Sequence, residues 1–272
     1  MTNICSSFVA NTYSYTITHS ATECLNFLAE KGFSEFELMM YPGHIWPADI
    51  SANERKKFVN FLTANNFMVS TINMPNIDVN IAAATKEMRT HSLDHMRRVI
   101  ELAGDLGVPA VVVGPGKANP LLPAPRDELL GYLYAALDVL EPLANKLGTS
   151  LLIENMPFSF LPDVKSILTV LDNYGNKRIG MVYDVANGHF IKEDINDALR
   201  ICKHVLKVVH LSDTTQSIYK HDAIGMGNVD FSSIPATLKE IEFSKKPVLE
   251  IITPDPQSFM EISARKLKDI GW

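Results

Sequence analysis

The chain has 272 residues, enough for one large α/β domain with a sizeable core, and 25 basic against 31 acidic side chains give a net charge of −6. That balance argues against a general nucleic-acid binder, which needs an electropositive face. No apolar run reaches the roughly 18 residues of a membrane span. Met1 to Ala10 has no basic segment leading into an apolar one, and Cys5, Cys24 and Cys202 lack metal-ligand spacing and read as reduced thiols, so a cytoplasmic protein with neither nucleic-acid nor membrane partner is expected.

Ile4 to Val9 is a short apolar segment ahead of polar Asn11 to Tyr15, and Ser20 to Lys31 carries Leu25, Leu28 and Ala29 at helical spacing up to Gly32. Phe33 to Met39 predicts a second strand ending near Glu37. The loop after it holds His44 and Trp46 between two prolines, where an imidazole and an indole either line a substrate pocket or pack the loop. Asn53 to Asn66 is amphipathic, and Phe67 to Ile72 is β-rich. From about Thr85 to Leu106 a long helix places Met96, Val99, Ile100 and Ala103 on one face, with Gly107 as its stop. His91 and His95 on that helix have metal-compatible spacing, yet they sit among Arg89, Arg97 and Arg98 and read as a solvated face.

Val108 to Val113 is a continuous apolar run, as in a strand covered on both sides, and it ends in Gly114, Pro115 and Gly116. Proline-rich Lys117 to Asp127 reads as a loop over a barrel mouth, and Leu129 to Leu147 as the next helix. Thr149 to Ile153 is a fifth strand ending in Glu154 and Asn155. After a helix from Pro162 to Leu171, Arg178 to Tyr183 is a sixth strand ending in Asp184, with Asn187 and His189 just beyond. Ile195 to Cys202 is a short helix. Val205 to Leu211 is the seventh strand, ending around His210, and a polar loop follows with Asp213, His221 and Asp222, closed by Gly225 and Gly227. A helix from Phe231 to Ile241 leads to the eighth strand, Pro247 to Ile252, with Glu250 inside it. Asp255 and Pro256 look like the N-cap and first residue of a last helix reaching Ile270.

Eight strand–helix units averaging about 34 residues predict a single-domain (β/α)₈ TIM barrel over residues 1–272. The competing open doubly wound sheet lacks a G-x-G-x-x-G after its first strand.

Glu154, Asp184, His210 and Glu250 hold the same relative place on four successive strands, 30, 26 and 40 residues apart, so a closed barrel brings them to one side of its mouth. Three buried carboxylates together repel strongly, and a divalent cation removes that repulsion. Three carboxylates and one neutral imidazole form a mostly hard-oxygen set, suited to Mn²⁺, Mg²⁺ or Co²⁺, with Zn²⁺ as a further option.

The pieces IEN at 153–155, YDVANGH at 183–189, HLSD at 210–213, HDAIGMGNVDF at 221–231 and LEI at 249–251 give the chain its resemblance to the xylose isomerase-like TIM barrels. That superfamily includes sugar isomerases, ketose 3-epimerases and abasic-site endonucleases. The resemblance implies that Glu154, Asp184, His210 and Glu250 ligate one divalent metal. It also implies that Glu154 and Glu250 exchange a proton with opposite faces of a substrate carbon, and that His221 contacts substrate or a second metal. The chain departs from the pattern at Asn187, where the family commonly has histidine, with His189 two residues further on. It also has Asn73 or Pro75, Gly114 and Tyr219 near positions where the endonuclease branch carries histidines and an aspartate, which disfavours a trinuclear zinc site.

The expected function is a metal-dependent isomerase or epimerase of a small sugar or ketose, with Asn187, His189, His221, Asp213, His44 and Trp46 as substrate contacts. A lyase or dehydratase starting with the same proton abstraction, and a non-catalytic sugar-binding barrel, are the alternatives. Glycines at 114–116 and 225–227 leave room for a substrate phosphate. Trp46, Phe8 and the proline loops offer an interface for a homo-oligomer.

Overall fold

Eight short runs rich in Val, Ile, Leu and Met form parallel strands: β1 (Val9–Asn11), β2 (Glu35–Met39), β3 (Met68–Asn73), β4 (Ala110–Val113), β5 (Ser150–Glu154), β6 (Gly180–Asp184), β7 (Leu206–Leu211) and β8 (Val248–Leu249). Each pairs with the next and β8 returns to β1, so the sheet closes into the expected TIM barrel in this computed structural model, which describes residues 4–75 and 78–272. Around it lie α1 (Ala21–Glu30), α2 (Ala52–Ala64), α3 (Lys86–Leu106), α4 (Arg126–Lys146), α5 (Val164–Tyr174), α6 (Val185–Phe190), α7 (Ile195–Cys202), α8 (Ile234–Glu240) and α9 (Pro256–Asp269).

Local chemistry sets the helix ends. Ser20 with Glu23, and Ser51 with Glu54, form reciprocal capping boxes that satisfy the first orphan N–H groups of α1 and α2. Gly107 ends α3 at φ +69°, a left-handed conformation that a side chain disfavours.

Two apolar clusters divide the core. The larger lies between barrel and helices, from Phe8 and Leu25 round to Leu267. The smaller fills the barrel interior with Val9, Ala110, Val112, Leu152, Val182, Val208 and Val248. Side chains alternate along a strand, so two residues on from this layer the same interior face carries Asn11, Glu154, Asp184, His210 and Glu250. Position in the strand thus separates an apolar floor from a polar layer above it.

Several boundaries differ from the sequence expectation. Ile4–Ser7 is a 3₁₀ turn and β1 starts only at Val9, ending at Asn11, which donates to Glu37 inside the barrel. β8 stops at Leu249, leaving Glu250 just beyond it. α8 begins at Ile234, with Pro235 in its first turn, and the Asp255 side chain makes no capping bond to α9. The stretch after β6, to which the sequence assigns no element, is helix α6, whose N-cap is Asp184.

Gly188 inside α6 packs so closely on β6 that a Cβ there would collide with the Tyr183 hydroxyl. Gly188→Ala is therefore expected to lose about 1–3 kcal/mol through overpacking, read as a lowered Tm. An unchanged Tm would contradict this packing.

Candidate active site

One ligand atom each from Glu154, Asp184, His210 and Glu250 lie within 4.8 Å of one another, and all four residues are buried. Backbone register explains the meeting: Asp184 pairs with His210 across β6 and β7, Glu154 pairs with Val182, and His210 with Val248, two residues before Glu250. Asp184 Oδ1 accepts from the Asn187 N–H at 2.6 Å as the cap of α6, while its Oδ2 is buried with no hydrogen-bond partner. An acceptor left unpaired inside a protein is destabilising, so this oxygen calls for a cation or a proton.

The acids answer by resisting ionisation. Burial raises Glu154, which Asp184 and Glu37 reinforce by repulsion, and burial raises Glu250, with Glu154 adding to it. Asp184 is pushed up to about 6, first by burial and then by Glu250, against the pull of His221 and His210. Burial disfavours charge on His210, but the carboxylates of Glu37 and Glu250 outweigh it and raise the imidazole well above its ordinary value.

Glu37 is the residue that sequence reasoning passed over. Fully buried on β2, it lies 3.2 Å from His210 Nε2 and accepts from Asn11 Nδ2 (2.7 Å), Thr71 Oγ1 (2.5 Å) and Asn73 Nδ2 (3.3 Å). Burial acts to raise its pKa, but the His210 charge and the hydrogen bonds from His210, Thr71 and Asn11 hold it below the ordinary value. An ionised Glu37 only accepts, so Nε2 carries the proton and donates it. Nδ1 then faces the centre of the cluster, 3.1 Å from Glu250 Oε2 and 3.6 Å from Glu154 Oε1. A carboxylate fixing the tautomer of a ligand histidine is typical of metal sites, and its loss commonly costs about 10- to 100-fold in affinity or activity. Glu37→Gln should weaken Mn²⁺ binding by that order in a metal titration; unchanged affinity would show that Glu37 does not orient His210. The sequence carries only a weak sign of it, because Glu35 and Glu37 alternate with Phe36 and Leu38 and the inward face is set by barrel closure.

Above the cluster opens a pocket of about 380 Å³, lined among others by Tyr13, Met39, Asn73, Gly114, Lys117, Met156 and Phe158. Glu154, Glu250, Asn187 and His221 line it, and Asp184 and His210 are fully buried. His221 Nδ1 lies 2.9 Å from Ser212 Oγ and 3.4 Å from Glu250 Oε2. Burial lowers its pKa, favouring a neutral ring. The Tyr219 hydroxyl donates to Asn187 Oδ1 at 2.8 Å and lies 2.9 Å from His221 Nε2, and Asn187 Nδ2 reaches Glu154 Oε1 at 3.4 Å. Tyr219 thereby ties both pocket residues together, a role not visible from its sequence position.

The other expected contacts lie elsewhere. His44 is buried with its ring nitrogens against the His19 carbonyl (2.7 Å) and Thr12 Oγ1 (3.0 Å). Trp46 stacks on His95 of α3 at 4.4 Å and borders a separate depression with His44 and Phe58. His95 is accordingly half-buried and not on a solvated face, although His91 is exposed. His189 lies outside the pocket, 2.7 Å from Asn228 Oδ1. Asp213 is buried and accepts from the N–H groups of Thr214, Gly225 and Val229, which shapes the loop that delivers His221. Asn73, Gly114 and Tyr219 all line the pocket, so the extra metal ligands of the endonuclease pattern are missing from these positions.

A family model described as xylose isomerase-like TIM barrel matches residues 25–270. The L-ribulose-5-phosphate 3-epimerase UlaE of Salmonella paratyphi C (strain RKS4594) is 23% identical over 164 residues, covering 60% of this chain and 57% of that protein, so the match spans little more than half of that relative. A solved D-tagatose 3-epimerase-like protein superposes with a TM-score of 0.80 at 22% identity, covering 96% of this chain and 95% of that one. The IolI protein with a bound zinc atom superposes with a TM-score of 0.78 at 16% identity, covering 97% and 96%. At such identities the structural likeness speaks for the fold.

Proposed function

Because the chain belongs to the xylose isomerase-like TIM barrel family, we propose that it is a divalent-metal-dependent isomerase or epimerase of a small sugar or ketose, with Glu154 and Glu250 moving the proton. One observation carries this reading: four ligand atoms gather within 4.8 Å at the floor of a pocket, and one of them, Asp184 Oδ2, is buried without a partner. The donor set fits a hard divalent ion, Mn²⁺, Mg²⁺ or Co²⁺, with Zn²⁺ also compatible. The names of UlaE and of the D-tagatose 3-epimerase-like protein point to the same class of chemistry.

Glu154, Asp184, His210 and Glu250 would hold the ion, and Glu37 would keep His210 Nδ1 turned toward it. When bound, the cation polarises the substrate's carbonyl and hydroxyl oxygens, acidifies the neighbouring C–H and offsets the negative charge left when the proton departs. Glu154 ends β5 and Glu250 follows β8, three strands apart around the barrel, so the two carboxylates flank the pocket from different sides. One removes the proton and the other returns it on the opposite face, and burial, by raising both groups toward neutrality, suits them to hold a proton between the two steps. Asn187 and His221 offer hydrogen bonds to substrate hydroxyls, and Tyr219 holds them in place. Met39, Met156 and Phe158 give the pocket an apolar wall.

The test is proton exchange. With Mn²⁺ in deuterated water, at least one sugar of a panel of free and phosphorylated ketoses should lose a specific C–H signal by NMR at a protein-dependent rate. A panel in which no sugar exchanges above the protein-free rate would overturn the proposal.

A further inference from the structure

At the opposite end of the barrel lies a second cavity, of about 560 Å³, lined by the first residues of most strands, including Glu35, Met68, Ala110, Ser150 and Val248. Its floor is the valine-rich interior layer, and Arg178, Lys207, Lys245 and Lys246 stand around it. The molecule as a whole carries −6, so this concentration of positive charge runs against the average.

Two of the four cations are neutralised. Lys246 Nζ pairs with Glu35 Oε2 at 3.2 Å, and Arg178 uses its Nε and Nη2 on Glu141, at 2.5 and 2.9 Å, leaving its other edge uncommitted to that carboxylate. Among the described residues, no carboxylate makes an ion pair with Lys207 or Lys245. Burial, and then the charge of Lys207, hold the Lys245 ammonium below its ordinary pKa, against a weaker opposing pull from Glu35.

The placement of Lys207 is built into the sheet. The register between β6 and β7 slips so that Met181 faces Leu206 and Val182 faces Val208, which leaves Lys207 as the extra residue of a bulge. Its stem lies over Gly180, where any Cβ would collide with Lys207 Cγ and with the Leu152 side chain. A bulge and a glycine together set the stem of this lysine over Gly180, on the lining of the cavity.

We propose that this N-terminal mouth binds a small phosphate-type dianion, either inorganic phosphate or a phosphomonoester, between Lys207 and Lys245. Two unpaired ammonium groups match a double negative charge, and the hydroxyls of Ser150 and Ser244 add donors to an anion that only accepts. The site lies beneath the apolar interior layer and is distinct from the acidic cluster, which would repel the same ligand.

The experiment is a calorimetric titration of the full chain, freed of metal with a chelator, using inorganic phosphate and, separately, glycerol 3-phosphate. At least one anion should bind saturably, more weakly as salt is added. In Lys207→Gln/Lys245→Gln protein, with an unchanged circular dichroism spectrum, affinity should fall by about tenfold or more. If the double variant does not fold, Lys245→Gln alone, at an exposed position, should weaken binding about threefold. Tighter binding of glycerol 3-phosphate assigns the site to a phosphorylated metabolite, and equal or better binding of inorganic phosphate assigns it to the free ion. No saturable binding of either anion, or unaltered affinity in the folded variants, would overturn the proposal.

Discussion

Glu154→Gln and Glu250→Gln are each expected to reduce substrate C–H exchange by about 10²- to 10⁴-fold while leaving the barrel folded. Glutamine keeps the size and most of the hydrogen bonding of the side chain but cannot take up or return a proton. Both residues are also candidate ligands, so a loss of rate has two sources that must be separated. The comparison should therefore be made at Mn²⁺ concentrations that saturate each variant, with bound metal counted in the same samples. A variant that holds its ion and still fails to exchange assigns that carboxylate to proton transfer. A variant that exchanges at the parent rate removes it from that role.

The second large effect concerns pH. A carboxylate or imidazole must release its proton before it ligates a cation, and Asp184 is pushed up to about 6 while His210 is raised well above its ordinary value. Mn²⁺ binding should thus displace about one to two protons, and affinity should fall by roughly tenfold per proton for each pH unit on the acid side. The metal-free fold responds in the opposite sense. A group whose folded pKa lies above its unfolded one stabilises fully below the unfolded value, and that contribution is lost as pH rises through the folded value. For Asp184 the window runs from its ordinary 3.8 to about 6. Glu154 and Glu250, raised in the same direction, add to the loss, whereas Glu37, which is lowered, works against it. Chelated protein therefore forfeits stability as these groups ionise, and the gain in Tm on adding Mn²⁺ should grow steadily from pH 5 to pH 7. A gain that is flat or shrinks over that range would contradict a cation held by these side chains.

Much of this centre could be read from the chain because its strands are unambiguous. Val108 to Val113 is a continuous apolar run and Leu151 to Ile153 a shorter one, and Glu154 at the end of the second stands out against its neighbours. Glu37 was harder to see, since Glu35 and Glu37 alternate with Phe36 and Leu38 and mimic a half-exposed strand; only barrel closure shows that the face carrying Glu37 is interior. His189 illustrates a different failure. Two residues past Asn187 on an extended loop it would share the same face, but on helix α6 two residues turn the side chain by about 200°, and it bonds Asn228 instead. His44 and Trp46 stand on a loop whose prolines mark a turn without saying which way it folds. The loop packs outward over α3, with Trp46 against His95. Tyr219 lacked any local signal, because its role depends on Asn187 and His221 arriving from other parts of the chain.

The most direct measurement is a count of tightly held divalent ions per chain after dialysis against Mn²⁺, made on the parent and on Asp184→Asn protein at pH 7.5. One ion per parent chain, lost from the folded variant, is the expected result. A parent that retains no ion, or a variant that retains it as firmly as the parent, would contradict the account.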